Sequence, residues 1–351
     1  MTLRSAVLWA AIAVAAGIAV RIAIAVVWRG VGAYRLRKAG PRRLRARHHV
    51  LWRDPGPIAT RDLRYGPGGA AYVPVAPFRF VEEHDTGSQP CVSVIDARGR
   101  RWRVKWGDEA RVETFATRFA AACGYFAEVT HFVSSGAIDG VPALQRAAGC
   151  VESPGGRFVD ARFELDDPTV RKLFEEHSWS WDDNPFIGSR ELDGLKIVVM
   201  LLSNWNTKDR RDVARGSNTA IFEHRAGRWP RAHHEARYLL TDWGGAMGRW
   251  GSNIVTRGRW DVDGFEAQTP QFVTGVDGER VQFGYTGQRT DDIAGNIPVA
   301  HARWFHGIAR GFTERQLADG FLASGATDEE AQRFARALMR RLAQLEIKYP
   351  P

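Results

Sequence analysis

Residues 101–123 read RWRVKWGDEARVETFATRFAAAC, and the stretch changes period halfway. Up to Trp106, apolar and charged residues alternate, which puts Trp102, Val104 and Trp106 on one face of a strand. From Ala110 onward the apolar positions are Val112, Phe115, Ala116, Phe119, Ala120 and Cys123. That is the i, i+3, i+4, i+7 stripe of a helix with one buried side. Asp108 is placed to cap this helix and Gly124 to end it. Strand, tight turn and helix are therefore predicted in that order. The opposite strand face carries Arg101, Arg103 and Lys105, which taken alone read as a solvated surface.

Working backward, 78–82 and 91–96 alternate as half-buried strands, and a turn at 97–100 makes 91–106 a hairpin. Working forward, 157–165 reads as a strand. The run LKIVVMLL within 190–204 is too apolar for a surface helix and predicts a buried one reaching Leu202. Residues 219–223 and 237–241 are expected to pair as strands. Helices are expected over 299–312, 313–323 and 327–347, the last opened by a Thr327/Glu330 capping box. Strands early and helices late imply an α+β chain. The expected organisation is a leader over 1–50, a Gly/Pro/Arg-rich linker over 51–75, a β-rich lobe over 76–185 and a helical lobe over 186–351.

The leader is set apart by charge. Residues 1–50 hold ten Lys/Arg and no Asp or Glu, which leaves 39 basic and 40 acidic residues in the remainder of a chain whose net charge is +9. The basic excess is thus local, and nothing in the pattern favours specific nucleic-acid binding. Residues 6–28 are apolar apart from Arg21, long enough for a transmembrane helix. The basic cluster behind them places the C-terminal side in the cytoplasm and would bind anionic lipid. The expectation is a single-pass bacterial inner-membrane protein with a cytoplasmic main domain. If residues 1–20 act instead as a signal peptide, the domain is periplasmic. Three cysteines without CxxC or Cys/His spacing argue against a disulfide framework or a structural zinc site.

Three separated pieces carry candidate chemistry. Lys105 lies on a strand and Glu113 on the following helix. SNWNTKDRRD occupies 203–212, after the buried helix. An apolar strand then ends in LLTDWG at 239–244. A polyphosphate ligand needs a fixed cation from the protein, together with a divalent metal held by carboxylate and amide oxygens. These pieces supply both kinds of group. Glu113 has no cation three or four residues away, so it lacks the usual pairing of a surface helix. Gly66-Pro67-Gly68-Gly69 lacks the spacing of a phosphate-binding loop and reads as a plain turn.

The wording of four segments resembles an uncharacterised bacterial family with NPFxGTRE, NWDxKD and DLG motifs. The segments are DLRYGPGG at 62–69, WRVKWGDEARVETFATRFAAACGYF at 102–126, NPFIGSRELDGLKIVVMLLSNWNTKD at 184–209 and YLLTDWGGAMG at 238–248. That family is distantly similar to atypical kinases of the HipA and phosphatidylinositol-kinase type. The resemblance implies a bilobal protein-kinase-like domain that binds ATP and Mg2+. It implies that Lys105 holds the phosphates, that Glu113 orients it, that Lys208 contacts a phosphate and that Asp242 binds metal. Two departures stand out. Asn206 occupies the place of the catalytic Asp, and an amide cannot accept a proton as a carboxylate does. Arg211 occupies the place of the metal-binding Asn. Asp209 and Asp212 stand nearby as substitutes, with Asp209 as the catalytic candidate, and Asn218 as a substitute metal ligand. Three readings follow: a phosphotransferase with a rewired loop acting on a protein or small molecule, a nucleotide-binding pseudokinase, or a membrane-tethered scaffold or envelope module without nucleotide.

Overall fold

A computed structural model describes residues 48–85, 89–167, 170–173, 179–206, 218–226, 233–251, 257–287 and 290–347. The predicted span over 6–28 and its basic flank lie outside the described residues, as do Lys208, Asp209, Arg211 and Asp212. Among the described residues, no helix is long and apolar enough to cross a membrane. Residues Arg45–Pro351 form one compact unit.

After a short strand β1 (His48–Val50), five strands close into a barrel: β2 (Phe78–Glu83), β3 (Cys91–Ile95), β4 (Arg101–Lys105), β5 (Thr130–Asp139) and β6 (Arg157–Leu165). Their order around the barrel is β2-β3-β4-β6-β5. The alternation in β3 and β4 decides which side faces in. Val92, Val94, Trp102 and Val104 are fully buried among Phe78, Phe158 and Phe163. The Trp102 indole donates to Asp96 Oδ2 at 3.0 Å, which satisfies its polar atom in the core. β5, which runs THFVSSGAID, was not expected. Its polar centre hides the alternation, and its long antiparallel pairing with β6 supplies what propensity does not.

The helix after β4, α1 (Glu109–Ala122), buries the predicted stripe. Its start differs from expectation. Asp108 is itself helical and makes no side-chain cap bond. The helix is instead fixed laterally, where Thr117 Oγ1 meets Thr130 Oγ1 on β5 at 2.7 Å.

A second sheet has the order β1-β9-β8-β7, built from β7 (Arg171–Leu173), β8 (Thr219–Ala226) and β9 (His233–Leu240). The buried helix α2 (Arg190–Leu201) precedes β8. Ser189 caps it by accepting from Leu192 N, and Ile197 through Leu202 are fully buried. Then come α3 (Val262–Gln268), a hairpin of β10 (Val273–Asp277) and β11 (Arg280–Phe283), α4 (Thr290–Ala294), α5 (Val299–Ala309), α6 (Glu314–Leu322) and α7 (Asp328–Gln344). The Thr327/Glu330 capping box is present, and a second one, Thr313/Gln316, opens α6. The chain is α+β: a barrel with one flanking helix, then a sheet with helices.

The linker expected over 51–75 contains two 3-10 turns and buries Leu51, Ile58 and Leu63. Arg and Gly content hid these three anchors. The Gly-Pro-Gly-Gly turn closes over Arg118 of α1, which is 1 % exposed. Gly66 has φ +62°, and a Cβ there would lie 2.5 Å from Arg118 Cγ. Gly66→Ala is expected to destabilise the fold by about 2–4 kcal/mol, from left-handed backbone strain and overpacking together. Urea unfolding would measure it, and a change below about 0.5 kcal/mol would mean that the turn is not pinned by Arg118.

Candidate functional site

β4 ends at Lys105, and its outward alternation aims Arg103 and Lys105 away from the barrel core. Antiparallel register sets Lys105 opposite Arg162 and Arg103 opposite Glu164 on β6. α1 then lays Glu113 beside this pair of strands. The result is a cleft of about 200 Å³ lined by Arg103, Lys105, Glu109, Glu113, Arg162 and Asp242, among others. Residues 105, 113 and 242, remote in sequence, therefore border one space.

Their bonding differs from the direct Lys105–Glu113 contact that the resemblance implies. Lys105 Nζ lies 3.0 Å from Glu164 Oε2. Arg162 Nη2 contacts the same oxygen at 2.8 Å, while its Nη1 pairs with Glu113 Oε2. Arg162 takes the intermediate place because register puts it directly across from Lys105, and a guanidinium fork can hold two carboxyls at once. The result is a relay, Lys105–Glu164–Arg162–Glu113. Arg103 reaches Glu164 Oε1 at 3.6 Å. Lys105, Arg162 and Arg103 thus converge on Glu164.

Charge states follow from burial and from these contacts. Burial pushes Glu113 up to about 8; Arg162 opposes this, and Asp242 adds to it. Glu164 is also opposed by burial, yet Lys105, Arg162 and Arg103 hold it well below the usual carboxylate range. Burial disfavours the Arg162 cation too, but Glu113 and Glu164 outweigh it and keep the guanidinium charged. Glu113 thus tends to neutrality and Glu164 is ionised, while Glu128 acts on Arg103 and Arg162 from nearby.

A stability dependence follows. The raised Glu113 pKa means that the folded protein keeps a proton which the unfolded chain loses above its ordinary value of 4.5. The associated stability is fully present below that pH and is lost as pH rises toward about 8. The melting temperature of Glu113→Gln, permanently neutral, should fall less between pH 5 and pH 8 than that of the parent. Equal slopes would show that Glu113 is ionised throughout.

On the other side of the cleft, β9 runs into Thr241 and Asp242. Asp242 Oδ2 accepts from Asn206 Nδ2 at 2.8 Å, and Oδ1 accepts from Gly244 N at 3.0 Å. Asn218, just before β8, donates Nδ2 to Asn206 O at 2.6 Å, and its own carbonyl accepts from Thr241 N at 2.8 Å. The Asn218 side-chain oxygen is buried and accepts no hydrogen bond among the described residues. An amide oxygen without a partner, on a residue whose carbonyl bonds Asp242 N, is the kind of hard ligand that a cation such as Mg2+ takes. Asn206 here donates to Asp242, a role that its amide permits and a carboxylate would not. The chain after Asp242 packs against Asn206: a Cβ on Gly245 would come within 2.6 Å of Asn206 Cβ.

The loop carrying Asn206 is anchored from α7. Arg341, 2 % exposed, donates to Leu201 O at 2.7 Å and to Ser203 Oγ at 2.8 Å. Asn204 then donates to Asp242 O at 3.1 Å. A separate link joins α1 to the chain beyond Asp242, through Arg259 Nη1 and Glu109 Oε1 at 2.6 Å.

A second cavity, about 270 Å³, lies between barrel and sheet. Val129, Leu165, Val170, Phe222 and Leu239 line it together with Glu128, Glu164, Asp166, Asp167 and His224, and Arg103 lines both cavities. The sequence reading passed over Arg103, Arg162 and Glu164. The signal available for the last two was an Arg and a Glu two apart in a strand expected to be half-buried, with no polar reason to be there.

No family model matches the chain, and no curated protein matches it either. Among solved structures, the chain is similar to the Helicobacter pylori proinflammatory kinase CtkA, at 12% identity and a TM-score of 0.40, over 78% of this chain and 94% of that one.

Proposed function

We propose that the chain is a membrane-anchored, kinase-like nucleotide-binding protein whose ligand is ATP with Mg2+. The supporting observation is the cleft itself, where Lys105, Arg162 and Arg103 converge on Glu164 in a space also lined by Asp242. A polyphosphate neutralises the cations and a divalent metal the Asp242 carboxylate. In this reading Lys105 holds phosphate oxygens, and Arg162, buried between Glu113 and Glu164, fixes the Glu164 carboxylate that positions it. The base would lie against Leu165, Phe222 and Leu239 in the neighbouring cavity, whose lining also includes Glu128, Asp166 and Asp167. Asp242 and Asn218 would hold Mg2+, which when bound neutralises phosphate charge.

Asn206 argues for nucleotide binding over efficient phosphoryl transfer. Its side chain is an amide committed to Asp242, so it cannot serve as a base at the acceptor. The pseudokinase reading is therefore preferred to an active transferase, and a protein or small-molecule partner replaces the acceptor. The apolar segment at 6–28 and the basic residues behind it remain the proposed attachment to an anionic inner-membrane surface.

Isothermal titration of the full chain with ATP tests the proposal. Binding in Mg2+ that weakens in EDTA is expected. No heat at millimolar nucleotide, from folded protein, would remove both kinase-like readings and leave the tethered scaffold.

A further inference from the structure

Two cavities adjoin the outward face of β4, and one cationic residue lines both. Arg103 borders the larger cavity, where Leu165, Phe222 and Leu239 offer apolar surface beside Glu128 and Asp166, and also the ionic cleft, with Lys105 and Asp242. It shares the outward face of β4 with Lys105, two residues on, so the two side chains start about 7 Å apart along the strand. A ligand running from one cavity into the other passes Arg103 first.

Arg103 makes the loosest of the three contacts with Glu164, and Glu128 and Cys91 also act on its cation. Glu164 is its carboxylate, at 3.6 Å, but that group already takes Lys105 at 3.0 Å and Arg162 at 2.8 Å. The Arg103 Nε is buried and has no hydrogen-bond partner among the described residues. Its side chain is nevertheless 42% exposed, so the guanidinium can reach a ligand in the cleft. A planar fork with free N–H groups matches a phosphate monoester, where two parallel hydrogen bonds can form. A solvated strand residue would need neither the shared lining nor the buried, unpaired Nε.

We infer that Arg103 binds the phosphate attached to the nucleoside, ahead of Lys105, which binds phosphates further along. The inference rests on the nucleotide reading and adds to it an order of contacts. Part of the affinity then comes without metal, and a nucleoside monophosphate is already a ligand.

The test is titration of the full chain in EDTA with adenosine, AMP and ATP, for the parent, Arg103→Met and Lys105→Met. The parent should bind AMP about tenfold more tightly than adenosine, the scale of a charge-assisted hydrogen bond. Arg103→Met should erase that gain while leaving adenosine affinity within about twofold. Lys105→Met should keep the AMP gain and reduce the further gain of ATP over AMP. Arg103→Gln, similar in length and uncharged, carries the same test should the Met variant not fold. An AMP gain that survives without Arg103 overturns the inference. So does an equal loss for adenosine and AMP, which would place the guanidinium against the base. Absence of binding by all three ligands in the parent, with Mg2+ restored, would instead sink the nucleotide reading and this inference with it.

Discussion

Asp242→Asn is expected to remove the Mg2+-dependent part of ATP affinity, a loss on the order of 100-fold, while binding in EDTA changes little or improves. Backbone bonds bring Asp242 to Asn218, whose carbonyl accepts from both Thr241 N and Asp242 N. The two carboxylate oxygens of Asp242 each accept one hydrogen bond, from Asn206 and from Gly244, which leaves lone pairs for a metal. The amide of Asn is nearly the same shape but accepts through one oxygen only, so the variant loses the charge and one of the two bonds, from Asn206 or from Gly244, and its melting temperature is measured beside the titrations. Titrations with and without EDTA separate the outcomes. Affinity that responds to Mg2+ equally in parent and variant would rule out Asp242 as the metal ligand. Asn218→Ala should show the same loss to a smaller degree.

Arg162→Met should be the most destabilising substitution in the cleft, at about 3–5 kcal/mol. The guanidinium is 2 % exposed and lies between two carboxyls that are also buried. Methionine fills much of the volume but leaves Glu113 without a donor and Glu164 with only Lys105 and Arg103. The loss should be smaller at pH 5 than at pH 8, because Glu113 already favours its neutral form and protonation removes the unpaired charge. Adding Glu113→Gln should recover part of the stability at pH 8. Denaturant unfolding at both pH values reads all of this. A loss below about 1 kcal/mol would show that the relay is open to water, as in a surface ion pair.

These two residues illustrate which parts of the site could be read in advance. Asp242 was visible because a polar residue ending an apolar strand before two glycines is a local pattern. Arg162 was not, since its importance comes from a register partner 57 positions away on β4 and from a helix that packs across both strands. The same distinction separates β4 from β5. Alternation in RWRVK is written in its own residues, whereas THFVSSGAID becomes a strand through β6. Asn218 gave little sign of itself. Its backbone bonds to residues 241 and 242 bring it to Asp242 after a return through β8 and β9. Leu51, Ile58 and Leu63 were overlooked because three apolar anchors among Gly, Pro and Arg make no period, yet each finds a buried place.

The amino-acid order alone determined the hairpin, the buried stripe of α1, the apolar helix α2, the three C-terminal helices and the separation of charge between leader and remainder. Each depends on spacings of a few residues, over which backbone geometry repeats. Only the tertiary structure decided which carboxyl holds Lys105, that Arg162 stands between Glu113 and Glu164, and that Arg103 borders two cavities. Those are matters of strand register and of helix placement on a closed barrel, where residues far apart in the chain are brought within hydrogen-bond range and burial then sets their charge.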